Sequence, residues 1–441
     1  MKIGFLSLPL TGHLNPMTAL ARKLQSRGHE VVFIGVPDIE RVVRAADLDF
    51  APFCENEFPP GSVAKNYGGV ANLHGLDVAR YTARELTPGL VKAALEHLPG
   101  KIAENGVNAL ALDTAYRLLE LVPMHLRLPY VQIWNILHFD FSGSTPLPFY
   151  SWPYETGPEA RARNLAGLQM LYETREALLP IAQAYAERTG LNIDWSNPSA
   201  TVSKLAVITQ TPKEFDFPIS HLPPQFHYAG PFHDNAGRQP VAFPWEQLNG
   251  NPLIYASLGT LINGLKDVYR TILRAVGELL QMQMVLSVGT NVDPRDLGPI
   301  PSNTIVVRVA PQIELLKRAS LCITHAGLNT VLEALAQGVP MVAIPLGYDQ
   351  PGVAARIAYH GVGEFIELDD LTAQRLSELI TKVRSNPKYR DKARWFQKVL
   401  KETSGLDVAA DIIERVFDRN ADSAVIADIG NERVNQLVDD R

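Results

Sequence analysis

Two histidines stand in turns where a side chain can do chemistry. His13 lies in "LTGHLNP", the polar turn that closes the first apolar run. His325 lies in "SLCITHAGLNTVLEALAQGVPMVAIPLGYDQ", Ser320 to Gln350. A neutral imidazole can take a proton from a hydroxyl when a carboxylate holds its tautomer and stabilises the imidazolium. Asp113 ends the apolar run "NALALD" and so falls on the same sheet edge as the His13 turn. An alcohol is a poor nucleophile until a base removes its proton, so the pair points to transfer of a group onto a hydroxyl. A lone His13 would be an ordinary polar turn residue; Asp113 changes that reading.

In the second stretch "SLCITHAG" ends an apolar strand, Gly327 permits a tight turn, and a helix begins near Leu328 to Thr330. A helix N-terminus offers unpaired N–H groups and partial positive charge, a ready anion site. Asn329 and Thr330 stand at its mouth, His325 just before it, and Glu333 one turn further on the same face. A diphosphate held there leaves Glu333 within reach of a ribose. Asp349 and Gln350 follow the strand "PMVAIP" and reach the same edge, where a carboxylate beside an amide suits neighbouring sugar hydroxyls. "SLGT" is a second small-residue turn after a strand, able to bring Ser257, Gly259 and Thr260 to the same phosphates. An ordinary capped helix explains any one of these residues but not the constellation.

Positioning these groups takes two sheets. At 441 residues the chain exceeds one ordinary core. Continuous apolar runs separated by helical segments imply parallel sheets covered on both faces. The expected fold is α/β, with two Rossmann-like domains facing each other across a cleft. The first spans residues 1–235, a Pro/Gly/Asn-rich linker 236–251, the second 252–418, and a polar tail 419–441 that either frays or crosses back. The spacing predicts a first helix from about Pro16 to Ser26, with Asn15 as a possible cap and Pro16 in its first turn. "GHLNPMTALARKLQSRGHEVVFIG" and "HAGLNTVLEALAQGVPMVAIP" repeat one strand–turn–helix–Gly–strand rhythm. Two such halves place a ligand cleft between the C-terminal edges of their strands. Between Phe139 and Tyr154 aromatics and prolines make a long loop. Trp134, His138, Phe139, Phe141, Phe149, Tyr150 and Trp152 are candidate walls for a flat or apolar acceptor: phenolic, polyketide, terpenoid or carotenoid.

Hydrophobic residues are 46% and charged residues 20%, a folded composition, and 41 basic against 47 acidic groups give −6. No basic field draws in nucleic acid, and no apolar run approaches the roughly 18 residues that span a bilayer. Pro9, Thr11 and His13 break up the one run that opens like a signal peptide. Two cysteines, Cys54 and Cys322, give no disulfide framework, and Cys322 reads as a buried thiol. A cytoplasmic protein is expected. "DLD" (Asp47–Asp49) has a metal-binding form but reads as surface, and no dinucleotide, P-loop, zincin or hydrolase-elbow motif is present.

The run "VAPQIELL…THAGLNTVLEALAQGVPMVAIPLGYDQ" resembles the C-terminal signature of the UDP-glycosyltransferase family, which has the two-domain GT-B fold. The early part is similar to bacterial macrolide- and zeaxanthin-type members, with "GHLNP" matching the turn that carries their catalytic histidine. The resemblance implies that Gln312 contacts the uracil and that His325, Gly327, Asn329 and Thr330 hold the diphosphate. It implies Glu333 on the ribose, Asp349 with Gln350 on the sugar, and His13 with Asp113 as the catalytic pair. It further implies an inverting transfer from a UDP-sugar, UDP-glucose foremost, with no metal and no permanently bound cofactor. Val309 stands where many members carry a tryptophan against the base, which leaves uracil or thymine open. A sugar-nucleotide epimerase of the same fold, or a binder without catalysis, are the alternatives.

Overall fold

The computed structural model describes residues 1–219, 221–234 and 240–418. Seven strands, β1 (Lys2–Leu6), β2 (Glu30–Gly35), β3 (Asp49–Pro52), β4 (Ala109–Asp113), β5 (Tyr130–Trp134), β6 (Ala206–Thr209) and β7 (Phe226–Tyr228), form one sheet. Six more, β8 (Leu253–Ser257), β9 (Gln283–Ser287), β10 (Thr304–Val307), β11 (Ala319–Thr324), β12 (Met341–Ala343) and β13 (Gly363–Phe365), form a second. Their orders are β3-β2-β1-β4-β5-β6-β7 and β10-β9-β8-β11-β12-β13, with every strand pair parallel. The expected pair of α/β halves is therefore present.

Alternation of side chains builds the second sheet's core on two faces. Ile254, Ala256, Met284, Leu286, Leu321 and Ile323 turn to one apolar cluster. Leu253, Tyr255, Val285 and Cys322 turn to the other, so Cys322 is a buried thiol whose pKa burial pushes upward.

In each sheet the strand order reverses direction at one place, between β1 and β4 and between β8 and β11. Such a switch point opens a crevice at the C-terminal strand ends. Register does the fine placement. Leu6 pairs with Leu112, so Asp113 emerges beside Ser7 and Leu8; Ser257 pairs with Thr324, so His325 emerges beside the Leu258–Thr260 turn.

The first helix is Thr11–Ser26, five residues longer at its start than the Pro16 signal implies. His13 therefore sits in its first turn, Asn15 is no cap, and Pro16 lies inside it. Proline has no N–H to give the carbonyl four residues earlier, which leaves the Gly12 oxygen open; Asn329 Nδ2 of the second half donates to it at 2.6 Å. Asp49 starts β3 at the edge opposite the switch point, so the Asp47–Asp49 pair is remote from the cleft. After the last helices of the second half the chain returns to the first. Ala409, Ala410, Ile412, Ile413 and Phe417 join the first core, and Arg27 pairs with Asp407, Asp411 and Glu414. The tail 419–441 lies outside the described residues, among which no helix is long and apolar enough to cross a membrane.

Candidate active site

His13 Nδ1 lies 2.8 Å from Asp113 Oδ2. Asp113 is 1% exposed and also accepts from the Leu8 and Ala115 N–H groups, at 3.2 and 3.1 Å, so its carboxylate cannot rotate away. Burial alone would lower the His13 pKa; the charge and hydrogen bond of Asp113, with the charge of Asp349, outweigh it and raise the pKa above its ordinary value. With Nδ1–H donating to the carboxylate, Nε2 is left as the basic nitrogen of a ring that lines the cleft.

Across the cleft, His325 is half-buried, its ring packed between two glycines. A Cβ on Gly259 or on Gly327 would come within 2.5 Å of its Nε2, and Gly259 has φ +77°, so the close approach and the turn both require glycine. Burial, set against a backbone hydrogen bond at Ser257, lowers the His325 pKa to about 4. A ring kept neutral in this way offers an anion an N–H donor and no positive charge, and its Nδ1 is buried without a partner. The helix Leu328–Ala336 starts directly after Gly327, with its first N–H groups free of intrahelical partners. Ala326 and Tyr348 both hold positive φ, +65° and +54°, conformations that non-glycine residues adopt mainly where surroundings enforce them.

One cavity of about 480 Å³ takes in both halves. His13, Ser257, Gly259, Thr260, Val309, Gln312, His325, Gly327, Asn329, Thr330, Glu333, Asp349 and Gln350 all line it. Several are engaged with protein. Gln312 accepts from Tyr255 and donates to Glu333 Oε2 at 2.6 Å, so its side chain braces the carboxylate expected at the ribose. Asn329 donates to Gly12 O and accepts from Gln210 Nε2 at 2.9 Å, bridging to the first half with both ends of its amide. Asp349 Oδ2 accepts from Leu137 N–H, and Gln350 Oε1 accepts from Leu346 and Gly347 N–H, leaving the Gln350 amide N–H₂ as the donor. Burial raises the Asp349 pKa despite that hydrogen bond and the nearby His13.

The aromatics expected to wall an acceptor divide. Trp134, Phe139 and Phe149 line the cavity as a chain of ring contacts, with centroids 5.0 and 5.7 Å apart. His138 does not: it is buried behind the wall against Phe226 and Tyr228, facing Asp216. Phe141 points outward, 37% exposed, and Tyr150 stacks on Trp152 against Gly167. A period-free, aromatic-rich loop carries no signal of which ring turns inward. Sequence reading missed Tyr67, Thr82, Arg117, Thr174, Asn263 and Tyr348 on the cavity wall. Of these only Tyr348, adjacent to Asp349, had a motif beside it to find it by. A cluster of Cys54, Glu57 and His97 has metal-ligand spacing but does not line the cavity, and His97 Nε2 is hydrogen-bonded to Glu57 at 2.8 Å.

Comparison with known proteins gives the family and the fold. The zeaxanthin glucosyltransferase of Pantoea ananas is 29% identical over 93% of this chain and 94% of its own. The NDP-glycosyltransferase YjiC of Bacillus subtilis is 26% identical over 95% and 98%. Among solved structures, the calicheamicin glycosyltransferase CalG4 superposes with a TM-score of 0.69 at 21% identity, covering 95% of this chain and 99% of that one, a likeness of fold. Residues 169–420, more than half of the chain, match the family described as UDP-glucoronosyl and UDP-glucosyl transferase. The chain belongs to that family and is a glycosyltransferase of the GT-B fold.

Proposed function

We propose that the protein transfers a hexose, glucose foremost, from a UDP-sugar to a hydroxyl of an apolar or aromatic small molecule, with inversion at the anomeric carbon. The observation that carries this is the His13–Asp113 pair on one wall of a cavity whose other wall is His325 and the Leu328 helix N-terminus. His13 Nε2 takes the acceptor proton as the acceptor oxygen attacks C1 from the face opposite the nucleotide. The bond from C1 to the phosphate oxygen breaks, and the electron pair leaves with UDP. His325, Thr330 and the helix N–H groups meet the charge growing on the diphosphate, so the transfer in this reading needs no metal. Glu333 holds the ribose, Gln312 holds Glu333 and the base side, and Asp349 with the Gln350 amide holds sugar hydroxyls. The first half, residues 1–235, receives the acceptor and the second, 252–418, the nucleotide sugar. The relatives named for zeaxanthin and for macrolide-type products support an apolar acceptor. Two buried free thiols suit the reducing cytoplasm, where we place the reaction.

The test is mass spectrometry of the purified protein with UDP-glucose and a pool of phenolic and terpenoid alcohols, beside His13→Ala. A hexose adduct from wild type, reduced about 10²–10⁴-fold in the variant, is expected for loss of a general base. An adduct from both removes His13 as the base. No adduct with either UDP-glucose or TDP-glucose, together with no nucleotide binding, removes the reaction.

A further inference from the structure

The acceptor side of the cavity contains a cation that the transfer chemistry does not use. Arg117, in the loop after β4, lines the cavity with Trp134, Phe139, Phe149 and Leu178. Its Nη1 donates to Thr174 Oγ1 at 2.9 Å, and the guanidinium lies 5.7 Å from the centre of the Phe139 ring. Thr174 is 3% exposed and spends its own proton on Leu171 O, so its oxygen faces Arg117 purely as an acceptor. Among the described residues no carboxylate oxygen comes within 4.0 Å of the Arg117 guanidinium. Glu120, whose charge reaches it, instead binds Gln132 Nε2 through Oε1, and the neighbouring Arg175 adds like charge.

A guanidinium has five N–H donors in a rigid fork. Thr174 uses one. The side chain is only partly buried and opens on the cavity, where a carboxylate fits the fork with two parallel bonds. We propose that Arg117 is a specificity residue for acceptors that carry a carboxylate in addition to the hydroxyl that is glycosylated. The proposal rests on the reading above. The donor's diphosphate is the other anion in the cleft, but its site is built from the second half, whereas Arg117, Thr174 and Phe139 all belong to the first. The acceptor class is then a hydroxy acid with an apolar or aromatic body, held by the aromatic wall and oriented by its acid group.

The experiment uses hydroxycinnamic acids and long-chain hydroxy acids, each paired with its methyl ester, on wild type, Arg117→Met and Arg117→Lys. Binding is measured by calorimetry with UDP present, and transfer from UDP-glucose is followed in parallel. In at least one pair the wild type should bind the acid about 10-fold or more tighter than the ester, as for a hydrogen-bonded charge. That ratio should fall toward one in Arg117→Met and partly persist in Arg117→Lys, with the UDP-glucose KM unchanged. If Arg117→Met does not fold, Thr174→Val, which removes the oxygen aiming the guanidinium, should lower the ratio several-fold. No acid preference in any wild-type pair, a preference that survives Arg117→Met, or a raised donor KM each overturns the proposal. Transfer to esters without acid preference sinks Arg117 and leaves the proposed reaction standing; acid-selective binding without transfer to any acceptor does the reverse.

Discussion

At the residue scale the proposed base is defined by what surrounds one imidazole. Two carboxylates, Asp113 and Asp349, act on His13, and Asp113 does so through both charge and hydrogen bond. A general base works when neutral, so with His13 in the proposed role activity should be present above its pKa and lost as pH falls through it. In Asp113→Asn the lowering effect of burial faces only Asp349. The acid limb of kcat/KM should therefore move to lower pH while the plateau falls, because Nδ1–H has lost its anionic acceptor. A pH–rate profile of the two proteins checks this; an unmoved limb would assign it to another group. Val309 offers the complementary test on the donor side. It is 52% exposed on the cavity wall and offers no ring on which a nucleobase could stack. Val309→Trp should tighten UDP by about 2- to 10-fold, the worth of one aromatic contact, and unchanged affinity in calorimetry would count against it.

At the element scale, legibility depended on how local each signal was. Strands such as "NALALD" and "LIYASLGT" are continuous apolar runs and announce themselves, as does the His325 turn with its two flanking glycine positions. The first helix was misplaced because Asn15-Pro16 looks like a start signal, whereas the helix begins at Thr11. The reason for Pro16 lies in the second half of the chain: it frees Gly12 O for Asn329, 317 residues after Gly12 in sequence. Arg117 and Thr174 were likewise invisible, since nothing local ties a loop arginine to a helical threonine 57 residues on. Pro16→Ala separates the two roles of that proline. An alanine N–H would compete for Gly12 O, and a helix-interior alanine is favoured over proline by about 3 kcal/mol. The variant should melt at a higher temperature yet transfer about 2- to 10-fold more slowly at low donor concentration, the worth of one hydrogen bond across the cleft. Thermal melting and donor kinetics moving in the same direction would refute that role.

At the scale of the whole molecule the question is what keeps the two walls of the cavity in one register. The two sheets share no strand, so the answer lies in contacts across the cleft. Gly75 N–H donates to Leu346 O at 2.7 Å, and Gly347 passes so close to Val78 that a Cβ would approach it to 2.8 Å. A further tie is Arg356, 1% exposed, on the helix Gln350–Tyr359. It donates through Nε and Nη2 to Asp216 Oδ1 of the first half at 2.9 and 2.7 Å and lies 4.1 Å from the centre of the Phe217 ring. Burial would raise the Asp216 pKa, but the charges of Arg356 and His138 and the Tyr228 hydroxyl hold it below the ordinary carboxylate range. The stabilisation is thus present above the unfolded carboxyl value, about pH 4, and lost as pH falls through the folded one. Arg356→Met strands a buried carboxylate and should cost about 3–5 kcal/mol, lowering the melting temperature by several degrees. Adding Asp216→Asn should return most of that loss, because the penalty comes chiefly from the unpaired charge. If the double variant melts no higher than the single one, the pair itself supplies the stability, and the two halves depend on it for cohesion as well as for alignment.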